Sequence, residues 1–433
     1  MSNDAVPRGT TQVSPAGSTQ GSRAERYQGV RATTRRLAAA LSAEDCAIQS
    51  MPDASPTKWH LAHTTWFFET FILSKNDPQR PAFHPAFRVL FNSYYNAVGE
   101  KHPRPQRGLL SRPSLEEVLA YRDQVDEEIM QLIHAGKLDP DLQALVDLGI
   151  QHEQQHQELI LTDVKHMLSC NPLRPAYQKN WPLTPIHARE QSWIPVRGGE
   201  RQVGYAGDGF SFDNETPRHT VWLRDFEIAS HPVNHGDFIE FIDAGGYRRP
   251  ELWLSAGWDA VATRGWEAPL YWERRGGRWY TFTMHGMAPV ERNTPACHVS
   301  FYEADAFARW AGARLPTEAE WEVATENVPV EGNFLESGAL HPLALREATA
   351  PGELAQVFGD VWEWTRSDYA PYPGFRPAKG AVGEYNGKFM CNQYVLRGGS
   401  CVTSASHIRA TYRNFFPADA RWQFSGVRLA RDA

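Results

Sequence analysis

His152-Glu153-Gln154-Gln155-His156 spells HExxH, and its reading decides whether the chain is built as a metalloprotease or as another kind of metal-binding helical fold. Two histidines four residues apart share one helical face and can hold one ion between them. In a zinc protease the Glu after the first His is the general base. A third protein ligand follows downstream, with a water in the fourth position. The location of that third ligand therefore carries the decision.

The flanking residues predict a helix. Leu142, Leu145, Val146, Leu148, Gly149, His152, His156, Leu159, Ile160, Asp163 and Met167 recur at three-to-four spacing, and Asp139-Pro140 supplies an N-cap and a first-turn proline. Both histidines then point inward with the apolar residues. Glu153 sits about 100° around the helix from His152, a position compatible with a base and equally with a solvated side chain. The plain alternative is two satisfied core histidines. Their inward placement with polar Gln155 alongside favours metal.

Downstream, the extended protease motif asks for a glycine and then a histidine, but Leu159 and Thr162 stand at those spacings. Asp163 and His166 fit no zinc-protease pattern. Upstream, Trp59-His60-Leu61-Ala62-His63 opens an apolar run through Trp66, Phe67, Phe68, Phe71, Ile72 and Leu73, a second buried helix starting after Ser55-Pro56. Three histidines on facing helices, without a carboxylate ligand, would leave several coordination positions open. Imidazole ligation suits iron as well as zinc.

The chain has 433 residues, too many for one ordinary core, so two domains are expected. With 42% hydrophobic and 12% aromatic residues it can bury substantial cores. A net charge of −7 and a pI near 6.2 disfavour nucleic-acid or anionic-membrane partners. No apolar run approaches the ~20 residues of a membrane span, and the first residues lack the apolar stretch of a signal peptide. Cys46, Cys170, Cys297, Cys391 and Cys401 are odd in number and never form CxxC, the usage of reduced thiols in a cytoplasmic protein.

Residues 1–22 read as a disordered tail rich in Ser, Thr, Gly, Gln and Pro. Residues 23–182 read as a four-helix bundle. Its first helix begins at a Ser22/Glu25 capping box and carries Tyr27, Val30, Leu37 and Leu41. The second carries His63, the third begins at a Ser114/Glu117 capping box, and the fourth carries HEQQH. The long connection from Lys75 to Pro113 holds Phe91-Asn92-Ser93-Tyr94-Tyr95-Asn96 and then Lys101, Arg104, Arg107 and Arg112. Loops of that length are usually functional, though a packing tyrosine pair and a solvated basic loop are the plain reading. Residues 183–433 are rich in Gly and Trp with short strand-like runs such as His219–Leu223 and Tyr394–Arg397. Helical pieces stand at Asn234–Asp243, Tyr302–Ala311 and Thr317–Thr325 in an α+β domain.

Five ordered segments carry a resemblance: Asn214-Glu215-Thr216-Pro217-Arg218-His219, Arg314 to Glu322, Gly359-Asp360-Val361-Trp362-Glu363-Trp364, Leu396-Arg397-Gly398-Gly399-Ser400, and Gly426-Val427-Arg428-Leu429. Together they resemble the formylglycine-generating-enzyme, or sulfatase-modifying-factor, domain, a C-type-lectin variant. The WHLAH and HEQQH segments resemble a DinB-type bundle. The fold class expected is multidomain α and α+β, with a DinB-like four-helix bundle followed by a formylglycine-generating-enzyme-type domain. That pairing is similar to the ergothioneine-biosynthetic sulfoxide synthases.

The resemblance implies a mononuclear non-haem Fe(II) enzyme. It would join the sulfur of cysteine to the imidazole of hercynine, the Nα-trimethylated histidine, and leave a sulfoxide with O2 as co-substrate. The implied iron ligands are His63, His152 and His156, with His60 as a supporting or packing residue and Gln155 holding hercynine. The active-site tyrosine, a proton donor that steers toward C–S bond formation rather than thiol dioxygenation, falls on Tyr94 or Tyr95. Asn414 would bind substrate, and Phe415, Phe416 or Trp422 would face the trimethylammonium group. Glu153 has no base role in this scheme.

Members that use γ-glutamylcysteine place an acid and a basic residue where this chain has Phe416 and Ala420. Free cysteine is therefore the expected donor, with Arg104 and Arg107 as partners for its carboxylate. Formylglycine generation would need two cysteines where Thr403 and Ile408 stand. An ovothiol-type synthase acting on histidine lacks its usual methyltransferase domain here, and a lectin-like binding module would consume no O2. Structural calcium in the C-terminal domain is an analogy without assigned residues. The oligomeric state is not legible.

Overall fold

The computed structural model describes residues 21–179, 190–345, 352–377, 383 and 386–433. The expected tail, apart from its last two residues, and the 182/183 boundary lie outside them. Four long helices dominate the N-terminal part: α1 (Arg23–Ala38), α2 (Thr57–Phe68), α3 (Leu115–His134) and α4 (Pro140–Cys170). Their starts follow local chemistry. Ser22 and Glu25, and Ser114 and Glu117, form reciprocal capping boxes, and the Asp139 carboxylate accepts from the Leu142 amide at 2.7 Å.

Helix α2 lies against α3 and α4, and every one of its residues is buried. Gly149 of α4 makes the close approach possible. A methyl group there would meet the Phe68 ring at 2.6 Å and the Phe67 ring at 3.1 Å, so only glycine lets the two backbones come together at this level.

Helix α4 departs from the single apolar stripe that its periodicity predicts. From Ile150 to Ser169 it is buried almost all round, including Gln151, Glu153, Gln154, Glu158 and Lys165. One side packs in the bundle and the other meets the C-terminal part. Its polar residues therefore find partners in protein rather than water, as buried polar groups must.

The C-terminal part is a set of small sheets. Asn414–Phe416, Tyr394–Arg397, Trp362–Asp368 and Ser425–Gly426 form one four-stranded sheet in that order, and Ala430–Asp432 pairs with Phe226–Ala229 beside Trp193–Val196. The expected runs His219–Leu223 and Tyr394–Arg397 are strands, and helices occupy His235–Asp243, Phe301–Trp310 and Glu318–Thr325. A helix at Ser255–Arg264 is additional to the expectation.

The segments that carry the family resemblance prove to be framework. Arg428 and Glu363 pair at 2.8 Å with both side chains fully enclosed, and the Trp321 indole donates to Glu363 at 2.6 Å. Arg397 reaches Glu318 and Glu322 at 3.1 and 3.0 Å. Gly398 takes a φ of 99° where an added methyl would strike the Val357 carbonyl at 2.6 Å. The five cysteines are unpaired. Among the described residues no helix is long and apolar enough to cross a membrane.

Candidate metal centre and adjoining cavity

Helices α2 and α4 bring His63, His152 and His156 together so that one ring nitrogen from each lies within 4.8 Å of the others. The ring centroids are 5.0, 4.8 and 4.6 Å apart. All three rings are buried. Burial holds each below the ordinary histidine pKa, His152 at about 3, so each is a neutral imidazole able to offer a lone pair.

Hydrogen bonding fixes which nitrogen is offered. His63 Nδ1 donates to the Phe91 carbonyl at 2.6 Å, leaving Nε2 buried with no partner. His60 Nε2 donates to the Asp163 carboxylate at 3.1 Å, so its Nδ1 accepts, and His156 Nδ1 donates to it at 2.8 Å. Both His63 and His156 therefore present Nε2. This relay of carboxylate, histidine and histidine has the form that orients metal-binding imidazoles, and the donor set fits a divalent transition metal. His60 thus supports His156 by a hydrogen bond, while Trp59 and Trp66 stack on His63 at 4.6 and 5.5 Å.

Glu153 gives its carboxylate oxygens to two arginines. It is enclosed in the bundle, paired with Arg31 and Arg122 at 2.8 Å each. Of the two placements that the helix position allows, the solvated one is corrected, since the side chain is fully buried.

Beside the histidines lies a cavity of about 630 Å³ walled by both parts of the chain. From the N-terminal part it takes His60, His156, Tyr94, Arg104, Arg107 and Gln155; from the C-terminal part, Asn414, Phe415, Phe416, Ala420 and Trp422 among others. Tyr94 lines it, whereas Tyr95 is buried against Trp66 and Phe71 at 5.6 and 5.1 Å. Arg104 stays exposed and bonds the Asp53 carbonyl. Arg107 contradicts the plain picture of a solvated basic loop, since it is buried over the Trp59 ring, 3.3 Å from its centre.

Gln155 donates through Nε2 to the Tyr412 hydroxyl at 2.6 Å, while its Oε1 is buried with no partner. The bond belongs to a chain: Tyr412 meets His407 Nε2 at 2.9 Å, and His407 Nδ1 meets Gln151 Oε1 at 2.6 Å. Because that carbonyl can only accept, His407 donates from Nδ1 and receives the Tyr412 proton on Nε2. Asn414 accepts from the Phe415 amide at 2.9 Å, Phe415 stacks on Tyr369 at 4.0 Å, and Phe416 meets Trp422 edge-on at 5.9 Å. Tyr412, His407 and the role of Asp163 escaped sequence reasoning. The signal for Tyr412 is its place two residues before Asn414; His407 carried none.

The chain matches two family descriptions, the sulfatase-modifying factor enzyme 1-like domain over residues 183–349 and 336–433 and the DinB superfamily over residues 26–160. It is 34% identical over 422 residues to the hercynine oxygenase of Mycobacterium tuberculosis, covering 93% of this chain and 96% of that protein. It is 32% identical over 404 residues to the hercynine oxygenase of Mycolicibacterium thermoresistibile, covering 88% of each. The formylglycine-generating enzyme of Streptomyces coelicolor is 31% identical over 292 residues, covering 58% of this chain and 91% of that one. Joined as they are, a DinB-type helical region and a sulfatase-modifying-factor-type domain, with kinship along nearly the whole length, make this chain an enzyme of the hercynine oxygenase family.

Proposed function

We propose that the chain joins the sulfur of L-cysteine to the imidazole carbon of hercynine with O2 as oxidant, giving hercynylcysteine sulfoxide for ergothioneine biosynthesis. The reaction balances on these three reactants alone. One oxygen atom enters the sulfoxide, and the other leaves as water with the hydrogens lost from the imidazole C–H and the thiol.

The observation that carries this reading is a trio of neutral imidazoles, grouped with no carboxylate among the described residues, beside a cavity walled by both parts of the chain. Fe(II) held by His63, His152 and His156 would supply the redox chemistry and seats for thiolate, imidazole and O2. The other roles belong to the chain. Gln155 offers its buried Oε1 as acceptor to the hercynine imidazole N–H. Tyr94, which lines the cavity, delivers the proton, and Tyr95 supports its ring at 4.9 Å. The faces of Phe415 and Phe416 receive the trimethylammonium group, and Asn414 keeps its side-chain amide nitrogen for substrate.

Arg107, with Arg104 at the rim, binds the carboxylate of cysteine. Phe416 and Ala420 in the cavity wall are apolar where the γ-glutamylcysteine pattern places an acid and a basic residue, and the flanking Asp419 and Arg421 are already paired with Arg264 and Glu303, which supports free cysteine over γ-glutamylcysteine. Mass spectrometry after aerobic incubation with Fe(II), hercynine and cysteine tests the reading. The expected product carries the masses of both substrates plus one oxygen less two hydrogens. Its absence, with iron bound, would overturn the proposal.

A further inference from the structure

Two buried groups on one wall of the cavity have bonding capacity left over. The Arg107 guanidinium donates to the Ser55 hydroxyl at 2.9 Å and to the Ser93 hydroxyl at 3.1 Å. Its Nε has no partner, and among the described residues no carboxylate lies within ion-pair distance of it. Asp163 accepts on Oδ2 from the Ser55 amide at 2.8 Å and from His60 at 3.1 Å, while Oδ1 is buried with no partner. A buried cation without an anion and a buried carboxylate oxygen without a donor are each costly alone. Both residues line the cavity beside His156.

Ser55 fastens the two together, its backbone N–H on Asp163 and its hydroxyl on Arg107. A set of donors and an acceptor are thus held on either side of one residue, at the end of the relay that orients His156. We propose that Asp163 and Arg107 form a seat for an α-amino-acid zwitterion, Asp163 Oδ1 receiving the α-ammonium and Arg107 the α-carboxylate. This rests on the cysteine reading above and deepens it. The seat rewards a free amino group next to the carboxylate, which cysteine has. In γ-glutamylcysteine that nitrogen is an uncharged amide with one hydrogen. In 3-mercaptopropionate it is missing, and in cysteamine the carboxylate is missing.

The test is anaerobic calorimetry on the Fe(II)-loaded full chain, titrated in turn with cysteine, 3-mercaptopropionate, cysteamine and N-acetylcysteine. Cysteine is expected to bind at least about tenfold more tightly than each analogue, the scale of one charge-assisted hydrogen bond. Asp163→Asn should erase the preference over 3-mercaptopropionate and keep the preference over cysteamine. Arg107→Gln should do the reverse. Equal binding of cysteine and 3-mercaptopropionate by the unaltered chain would overturn the proposal without any variant, as would an Asp163→Asn chain that retains iron and the full preference. Because the readout is binding, a failed sulfoxide assay would sink the oxygenase reading and leave this result standing on its own.

Discussion

The Glu153 carboxylate accepts from the Arg122 guanidinium at 2.8 Å, and neither side chain exposes more than 1% of its surface. Arg31 closes on the other oxygen at the same distance. Burial by itself would raise the Glu153 pKa, but the two guanidiniums outweigh it and hold the carboxyl at about 2. The residue that makes the opening pentapeptide look proteolytic is thus the counter-ion of the bundle interior. Glu153→Gln would leave two arginines short of charge inside the fold, a change that costs about 3–5 kcal/mol in comparable buried pairs. The expected result is a large fall in Tm and no gain or loss of any peptidase activity. An unchanged Tm would refute the structural role.

Gly149 sets the spacing of α2 and α4. Gly149→Ala should force the Phe67 and Phe68 rings aside, destabilise by about 1–3 kcal/mol and spread His63 from its two partners. Metal titration of the purified variant is expected to show weakened binding with all three histidines still present.

His60 lines the cavity and reaches the three-histidine cluster through its hydrogen bond to His156. His60→Ala should lower metal affinity by about 10–100-fold while leaving the hercynine KM measured at saturating metal close to its original value. Loss of all binding would instead mark His60 as a ligand.

Tyr94 lines the cavity and Tyr95 does not. Tyr94→Phe should divert turnover from the sulfoxide toward oxidised cysteine, and Tyr95→Phe should lower stability with the product ratio preserved. Chromatography of the two products under matched O2 consumption distinguishes the cases, and the opposite pattern would transfer the role to Tyr95.

Lys165 is buried, donates to His298 Nε2 at 2.5 Å and lies over the Tyr271 and Phe424 rings. Burial brings its pKa down to about 8. A lysine depressed in the folded state is protonated more readily when unfolded, so its penalty is full below pH 8 and fades as pH rises toward the unfolded value near 10.4. Relative to Lys165→Met, the unaltered chain should gain up to about 3 kcal/mol across that window, read from denaturant midpoints at successive pH values. A difference constant with pH would contradict the burial of a charge there.

Much of this was legible in the sequence because it depends on local chemistry. The capping boxes, the Asp139-Pro140 start and the spacing of His152 and His156 are set by residues within one or two turns. Placing His63 with them required family resemblance, since nothing in the periodicity of α2 says which face of α4 it meets. The environments of Glu153, Arg107 and Asp163 were hidden for the same reason. Each is decided by residues far along the chain, Glu153 by Arg31 and Arg122, Arg107 by Ser55 and Ser93, and Asp163 by Ser55 and His60. The framework role of the GDVWEW and LRGGS segments was hidden too, because motif strings do not distinguish residues that hold a fold from residues that touch substrate.

Five residues beyond Glu153 on α4, Glu158 is buried facing the other way. It accepts from the Trp362 indole at 2.6 Å, the Thr403 hydroxyl at 2.7 Å and the Ser400 hydroxyl at 3.2 Å, all from the C-terminal part. The helix is therefore keyed like a shaft in two hubs, one carboxylate locked to each. His156 stands between the keys, so its angle about the helix axis is shared property of both parts. Inserting one residue between Glu153 and Glu158 would turn the keys about 100° out of phase, and no adjustment within either part could restore both locks at once.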